Sequence, residues 1–210
     1  MNEMVEPKME TTGEGMSNYF MLEWDVLDGY CAIFDLPETM PKIHKPARGV
    51  RMGSEYPDGL RFRMAKEERG MKIADIIPNA VNYLMVSNRM KGILEQHSGA
   101  EIEFLRFVLL NHRGRVASED CYIANVIGML DCVDMERSEG DRDALKPDRF
   151  MYLRRLVLRE DMLDPAAKLF RPTAAPRMMI VRRDLKEQFE KEGVTGATWY
   201  AVGSEVAITL

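Results

Sequence analysis

Cysteine is scarce in this chain, with only Cys31, Cys121 and Cys132 among 210 residues. A small, odd number cannot build the multi-bridge framework of a secreted mini-domain, so reduced thiols are expected. Long hydrophobic runs are also missing, and none approaches the roughly 20 apolar residues of a membrane-spanning helix. The start, MNEMVEPKME, is acidic and polar, without the positive end and apolar core of a secretory signal. These absences together make a cytoplasmic setting the expectation. Positive charge is not in surplus either, because 29 Lys and Arg face 34 Asp and Glu, a net charge of −5. That balance argues against direct nucleic-acid binding, which draws most of its affinity from clustered cations. The short clusters Arg154, Arg155 and Arg159, and Arg182 with Arg183, lack interleaved aromatics and read as salt-bridged surface.

Catalytic signatures are absent as well. The chain has no GxxxxGK[ST] phosphate loop, no GxGxxG fingerprint, no GxSxG elbow and no HExxH zinc helix. Three histidines occur: His44 in a proline-rich stretch, His97 late in an expected helix and His112 in a turn. No carboxylate or nucleophile stands at motif spacing around them, so packing or surface roles are expected, and no catalytic residue is assigned. His112, Cys121 and Cys132 lack the CxxC or HxxxH spacing that would fix a zinc geometry. No metal or cofactor is expected, and Cys121, in an apolar segment, reads as a small buried hydrophobe.

What the chain does have is enough length to bury roughly 70% of its unfolded surface, and 46% hydrophobic residues to bury. Residues 1–16 carry four glutamates and few large apolar groups, and are expected to be a mobile tail. Tyr19 to Val26 and Tyr30 to Phe34 flank Asp28-Gly29, the signature of a hairpin. Six Pro and Gly residues between Leu36 and Pro57 mark a long ordered loop. Residues 60–66 alternate apolar and basic like a half-exposed strand. Residues 83–86 read as a strand, Ser87 as an N-cap, Met90, Ile93 and Leu94 as one helical face, and Gly99 as its stop. Two paired strands follow, residues 101–111 and 121–127, around a turn at His112–Arg115.

A second strand-helix-strand pattern runs through residues 178–181, 182–192 and 197–202, with Leu185 and Phe189 facing inward. At an offset of 95 the two patterns overlay: Met85 on Ile180, Met90 on Leu185, Lys91 on Lys186, Leu94 on Phe189 and Glu95 on Glu190. An internal repeat is therefore expected, although two unrelated units obeying the same rules would look alike. Residues 17–210 are assigned to one α+β domain of mixed and antiparallel sheets with a few helices, with two lobes, about 17–145 and 146–210, as a variant.

Between the two patterns, residues 131–143 (DCVDMERSEGDRD) gather Asp131, Asp134, Glu136, Glu139, Asp141 and Asp143. Such a run is commonly a solvated loop. Its functional alternative is a contact surface that attracts a basic partner and then occupies its cleft. The 17 methionines suit core filling first and adaptable contact surfaces second.

The order of these segments resembles immunity protein family eleven of bacterial polymorphic toxin systems, a former domain of unknown function. The resemblance rests on Tyr56-Pro57-Asp58, on LMVSNRM (residues 84–90), on EIEFLRF (101–107) and on Tyr122-Ile123-Ala124-Asn125. It continues through Leu130-Asp131 with Ser138, LRRLVL (153–158), Leu169-Phe170-Arg171 and IVRRDLKEQFEKEGVTG (180–196). Two positions depart from the pattern: Gly59 stands where an aromatic is usual and Arg106 where proline is common. The resemblance implies a non-enzymatic protein that binds and blocks a cognate toxin, often the product of an adjacent gene. Because Asp131 and Arg171 fall in the shared segments, they are expected to form a buried pair. A hydrolase using His112 or His97, and a small-ligand sensor, stand as alternatives. No heptad or long edge strand points to self-association, which leaves monomer and dimer open.

Overall fold

The computed structural model describes residues 17–210, so the tail expected over 1–16 lies outside the described residues. The described chain folds as β1 (Tyr19–Glu23), β2 (Arg61–Arg63), β3 (Met85–Ser87), α1 (Asn88–His97), β4 (Ile102–Leu110) and β5 (Val116–Val126). It continues as β6 (Glu139–Arg142), β7 (Phe150–Arg155), β8 (Leu169–Phe170), β9 (Met179–Arg182), α2 (Arg183–Lys191), β10 (Thr198–Ala201) and β11 (Glu205–Thr209). These elements make an α+β fold with three sheets, ordered β2-β4-β5-β3, β10-β1-β9-β8 and β11-β7-β6. Apart from the parallel β2–β4 pair, every strand pairing is antiparallel.

Local chemistry accounts for the helices. The Ser87 hydroxyl accepts the Met90 N–H at 3.1 Å, satisfying one of the free donors at the start of α1. Met90, Ile93 and Leu94 are buried along one face, and Gly99 takes the left-handed φ of +64° that ends the turn. Leu185 and Phe189 play the same part in α2, and Gly193 (φ +64°) follows it.

The expected repeat extends to strand register. In the first unit, β5 lies between β3 and β4 and runs antiparallel to both, so that Met85, Ile123 and Leu105 share one cross-strand row. In the second, β1 lies between β9 and β10, and Ile180, Met21 and Tyr200 share the corresponding row. The flanking strands keep the offset of 95, but the central strand comes from opposite sides of the sequence. β5 follows β4 through the Asn111–Arg115 turn, whereas β1 arrives from the start of the described chain. The side chains repeat too. Lys91 lies over the rings of Phe104 and Tyr122 and pairs with Glu95; Lys186 lies over Trp199 and Phe20 and pairs with Glu190.

Both helices pack between the two units. Leu22, Val86, Met90, Leu94, Ala124, Val181, Leu185 and Phe189 belong to one apolar cluster, so the helix-facing sides of both main sheets meet in a shared core. The opposite face of the first sheet packs on the loop segments around Cys31, Ile33 and Met52. That of the second packs on the small sheet through Met21, Ile180, Phe150 and Leu153.

The hairpin expected from Tyr19 to Phe34 does not form. Its turn exists, with the Tyr30 N–H on Leu27 O at 3.0 Å and Gly29 at φ +76°. The segments it joins go to different partners, however: β1 to β9 and β10, Tyr30 and Ile33 to bridges with Lys72 and Asn79. A division near residue 145 would cut two sheets, because β1 pairs with β9 and β10 and β6 pairs with β7.

Candidate partner-binding surface

The acidic run is not a plain loop. It contains β6, the edge strand of the small sheet, and most of its carboxylates are already engaged. Glu139 pairs with Arg155, and Asp141 pairs with Arg154 at 2.9 Å, across the β6–β7 ladder. Asp134 accepts the Glu136 and Arg137 N–H groups, and Asp143 accepts those of Leu145 and Lys146, so both hold turns. Glu136 has no such partner. It lies on the wall of a cleft of about 750 Å³ that also takes in Glu160 and Asp161. None of these three makes an ion pair among the described residues. The free charge beside β6 therefore comes from two segments, of which the sequence run shows only one.

The expected buried pair of Asp131 and Arg171 is corrected by the structure. Asp131 has an 85% exposed side chain and pairs with Arg159 at 2.9 Å. Arg171 is 1% exposed and bonds to carbonyl oxygens instead: Val126 O at 3.1 Å, Pro176 O at 2.8 Å, Pro46 O at 3.0 Å and Ala47 O at 3.3 Å. The physical reason is geometric. The guanidinium's fork of donors can satisfy several main-chain acceptors at once, so it needs no carboxylate. Burial without a counter-charge pushes its pKa down to about 9, which still leaves it charged at neutral pH. Arg171 thereby joins the 46–47 turn, the end of β5 and the loop before β9. Gly49 allows that turn to approach, since at φ +64° a Cβ there would meet Val126 O at 2.6 Å.

A second polar site was not visible in the sequence. Glu103 on β4 accepts the N–H groups of Met52 and Gly53, both at 2.8 Å, and the side-chain amide of buried Asn125 at 3.0 Å. Burial pushes this carboxyl up, but the three donors outweigh it and hold the pKa below the ordinary glutamate value. Asn125 also donates to Val50 O, so the row Glu103–Asn125 fixes residues 50–53 against the first sheet. Beyond this anchor lies a cleft of about 680 Å³ between the 53–59 loop and β4.

The remaining candidates do not assemble into a reactive centre. His112 bonds through Nε2 to Gly70 O at 3.1 Å, and neither it, His44 nor His97 makes an ion pair with a carboxylate among the described residues. Cys31, Cys121 and Cys132 are buried, and desolvation raises each thiol, to about 11 for Cys31 and Cys132. The described residues hold no group of three or more His, Cys, Asp or Glu placed to bind a metal ion. No described helix is long and apolar enough to cross a membrane.

The model of the Immunity protein family (Imm11) matches residues 3–204, which takes in both split units, the acidic run and the Arg171 junction. The chain belongs to the Imm11 family. A search of curated proteins finds no match. Within this Imm11 chain, the segments that carried the resemblance divide into two kinds. Tyr122–Asn125 and Leu169–Arg171 supply buried anchors, whereas Tyr56–Asp58 forms a half-exposed to exposed wall of the β4 cleft.

Proposed function

We propose that this Imm11 protein is a non-enzymatic immunity factor of a bacterial polymorphic toxin system, binding and neutralising a cognate toxin by protein–protein contact. In this reading it works in the cytoplasm, protects its producer during interbacterial competition, and has as partner the product of an adjacent gene. The observation that carries the proposal is the family match over residues 3–204. Supporting it, the net charge of −5 suits a basic partner, and Glu136, Glu160 and Asp161 line a shared cleft without ion pairs among the described residues, where Arg155 and Arg159 are taken up by Glu139 and Asp131 and Arg137 is the remaining cation.

The direct test is co-expression with the adjoining gene's product in a host that this product alone kills. Survival and a co-purified complex are expected; continued killing without a complex would remove the proposal. The surface can be tested separately by charge reversal. Since Asp134 and Glu139 already serve local structure, Glu136→Lys, Glu160→Lys and Asp161→Lys form the cleaner set. Slower association and a weaker salt dependence are expected from the triple variant. An unchanged on-rate would make the acidic surface a bystander.

A further inference from the structure

The start of β4 is an open strand edge. From Ile102 to Phe107 its register with β5 is unbroken, whereas β6 is interrupted twice by irregularities that blunt an edge. In an antiparallel ladder, main-chain groups point alternately toward and away from the partner. The Ala124 N–H bonds to Leu84 O on the β3 side, so Phe104, opposite Ala124, turns its N–H and C=O away from β5. The groups of Arg106 point the same way, and those of Val108 and Leu110 do too, where β2 meets them through Leu60 O and the Met64 N–H. Phe104 and Arg106 have no main-chain partner on that side among the described residues.

The reason is that the chain leading into β2 bows outward just there. One end of the bow is pinned where Glu103 holds Met52 and Gly53; the other is pinned where Leu60 O receives the Val108 N–H at 2.8 Å. Between the pins, Pro57 and a left-handed Gly59 (φ +68°) turn the chain, the Tyr56 ring packs on the core, and Lys42 and Lys45 hold Glu55. The result is the cleft of about 680 Å³, one wall an unpaired edge and the other a braced loop. Four residues of edge, Phe104–Phe107, span about 13 Å.

We infer that this cleft receives an extended, basic segment of the protein partner, which adds to the β4 edge as a further strand. The inference rests on the neutralisation reading and names the mode of contact. Main-chain hydrogen bonds to Phe104 and Arg106 supply the anchoring. Charge selects the occupant: among the described residues Asp58 and Glu119 are exposed on the cleft without ion partners, while the single cation lining it, Arg106, is balanced by Asp120 at 2.8 Å. The chain's own first 16 residues suit it poorly, having four glutamates and one lysine. A second folded copy is obstructed by the 53–59 loop, which stands where a neighbouring sheet would have to lie.

The test uses the full-length protein with the purified product of the adjoining gene, its toxic activity disabled. Amide hydrogen exchange is read by NMR with and without this partner. Slowing of the Phe104 and Arg106 amides by at least tenfold in the complex is expected. A complex that leaves both amides unchanged overturns the inference while leaving neutralisation intact, and places the contact elsewhere, with the β6 surface the first alternative. Absence of any complex overturns both. Independently, Arg106→Pro removes an outward N–H without touching the β5 ladder, and Arg106→Ala removes the side chain alone. The proline variant should bind at least tenfold more weakly than the alanine variant. Equal affinities would again overturn the inference.

Discussion

The two split units are near-copies in register and differ in what surrounds them. At the row where Glu103 faces Asn125 in the first, the second has Thr198 facing Glu23. Glu103 meets two N–H donors and an amide, and its carboxyl is held below the ordinary glutamate range. Glu23 is desolvated, with Asp25 nearby, and its pKa rises to about 7. The edges differ in the same way. The equivalent of Arg106 is Ala201, whose C=O is taken by the Ser204 N–H at 3.1 Å and the Ser204 hydroxyl at 2.7 Å. A turn thus takes up the Ala201 carbonyl on the β10 edge, at the position where a bowed loop leaves Arg106 on the β4 edge without a main-chain partner among the described residues. One backbone plan has been finished once as a structural surface and once as a cleft.

The sharpest way to break the comparison is to cut what joins the units. Arg171→Met leaves several buried carbonyls without donors, each costing about 1–3 kcal/mol, so a loss of more than about 4 kcal/mol is expected in urea unfolding. Arg171→Lys should rescue little, because an ammonium cannot reproduce the fork. In a double-mutant cycle, Asp131→Asn should show no coupling to Arg171.

Matched core deletions come next. Phe189→Ala and Leu94→Ala remove equivalent side chains from one shared cluster, at expected costs of about 3–5 and 2–5 kcal/mol. Less-than-additive losses in the double variant would show that the helices stabilise a single core; additive losses would show independent units.

Glu23 offers a smaller, pH-dependent effect. Its carboxyl binds a proton more tightly when folded, so its contribution is fully present below the unfolded value near 4.5 and is lost as pH rises through about 7. Glu23→Gln should therefore gain on the order of 1–3 kcal/mol over the parent at pH 8 and little at pH 4, in denaturation curves at both pH values. The smallest effect belongs to the repeated lysines. Lys91→Met and Lys186→Met should each cost no more than about 1 kcal/mol, by similar amounts, if the two ring clusters are equivalent.

Much of the helical part of the fold could be read directly from residues. Ser87, Gly99 and Gly193 mark helix ends through their own backbone preferences, and the inward faces of α1 and α2 follow from apolar spacing. The Tyr19–Phe34 hairpin misled because a turn signal says that the chain reverses, not that its arms pair with each other. The acidic run misled in another way. Its composition is that of a solvated loop, yet alternate residues of β6 find arginines on β7 that only strand pairing brings within reach, Arg155 directly opposite Glu139 and Arg154 diagonal to Asp141.

By itself, the sequence determined the α+β class, the position of both helices, the offset of 95 between the units and the resemblance to the immunity family. All of these are carried by local propensity, by spacing along one chain, or by linear order. Tertiary structure alone decided which strand fills the middle of each unit, that Arg171 is held by carbonyls rather than by Asp131, and that the β4 edge stays open. Those outcomes depend on groups far apart along the chain, as between Arg171 and Val126 or Pro46, 45 and 125 residues away, or between the paired Phe20 and Ala201. No local preference encodes such pairings, since each is chosen by which distant donors and acceptors remain unsatisfied once the core has closed.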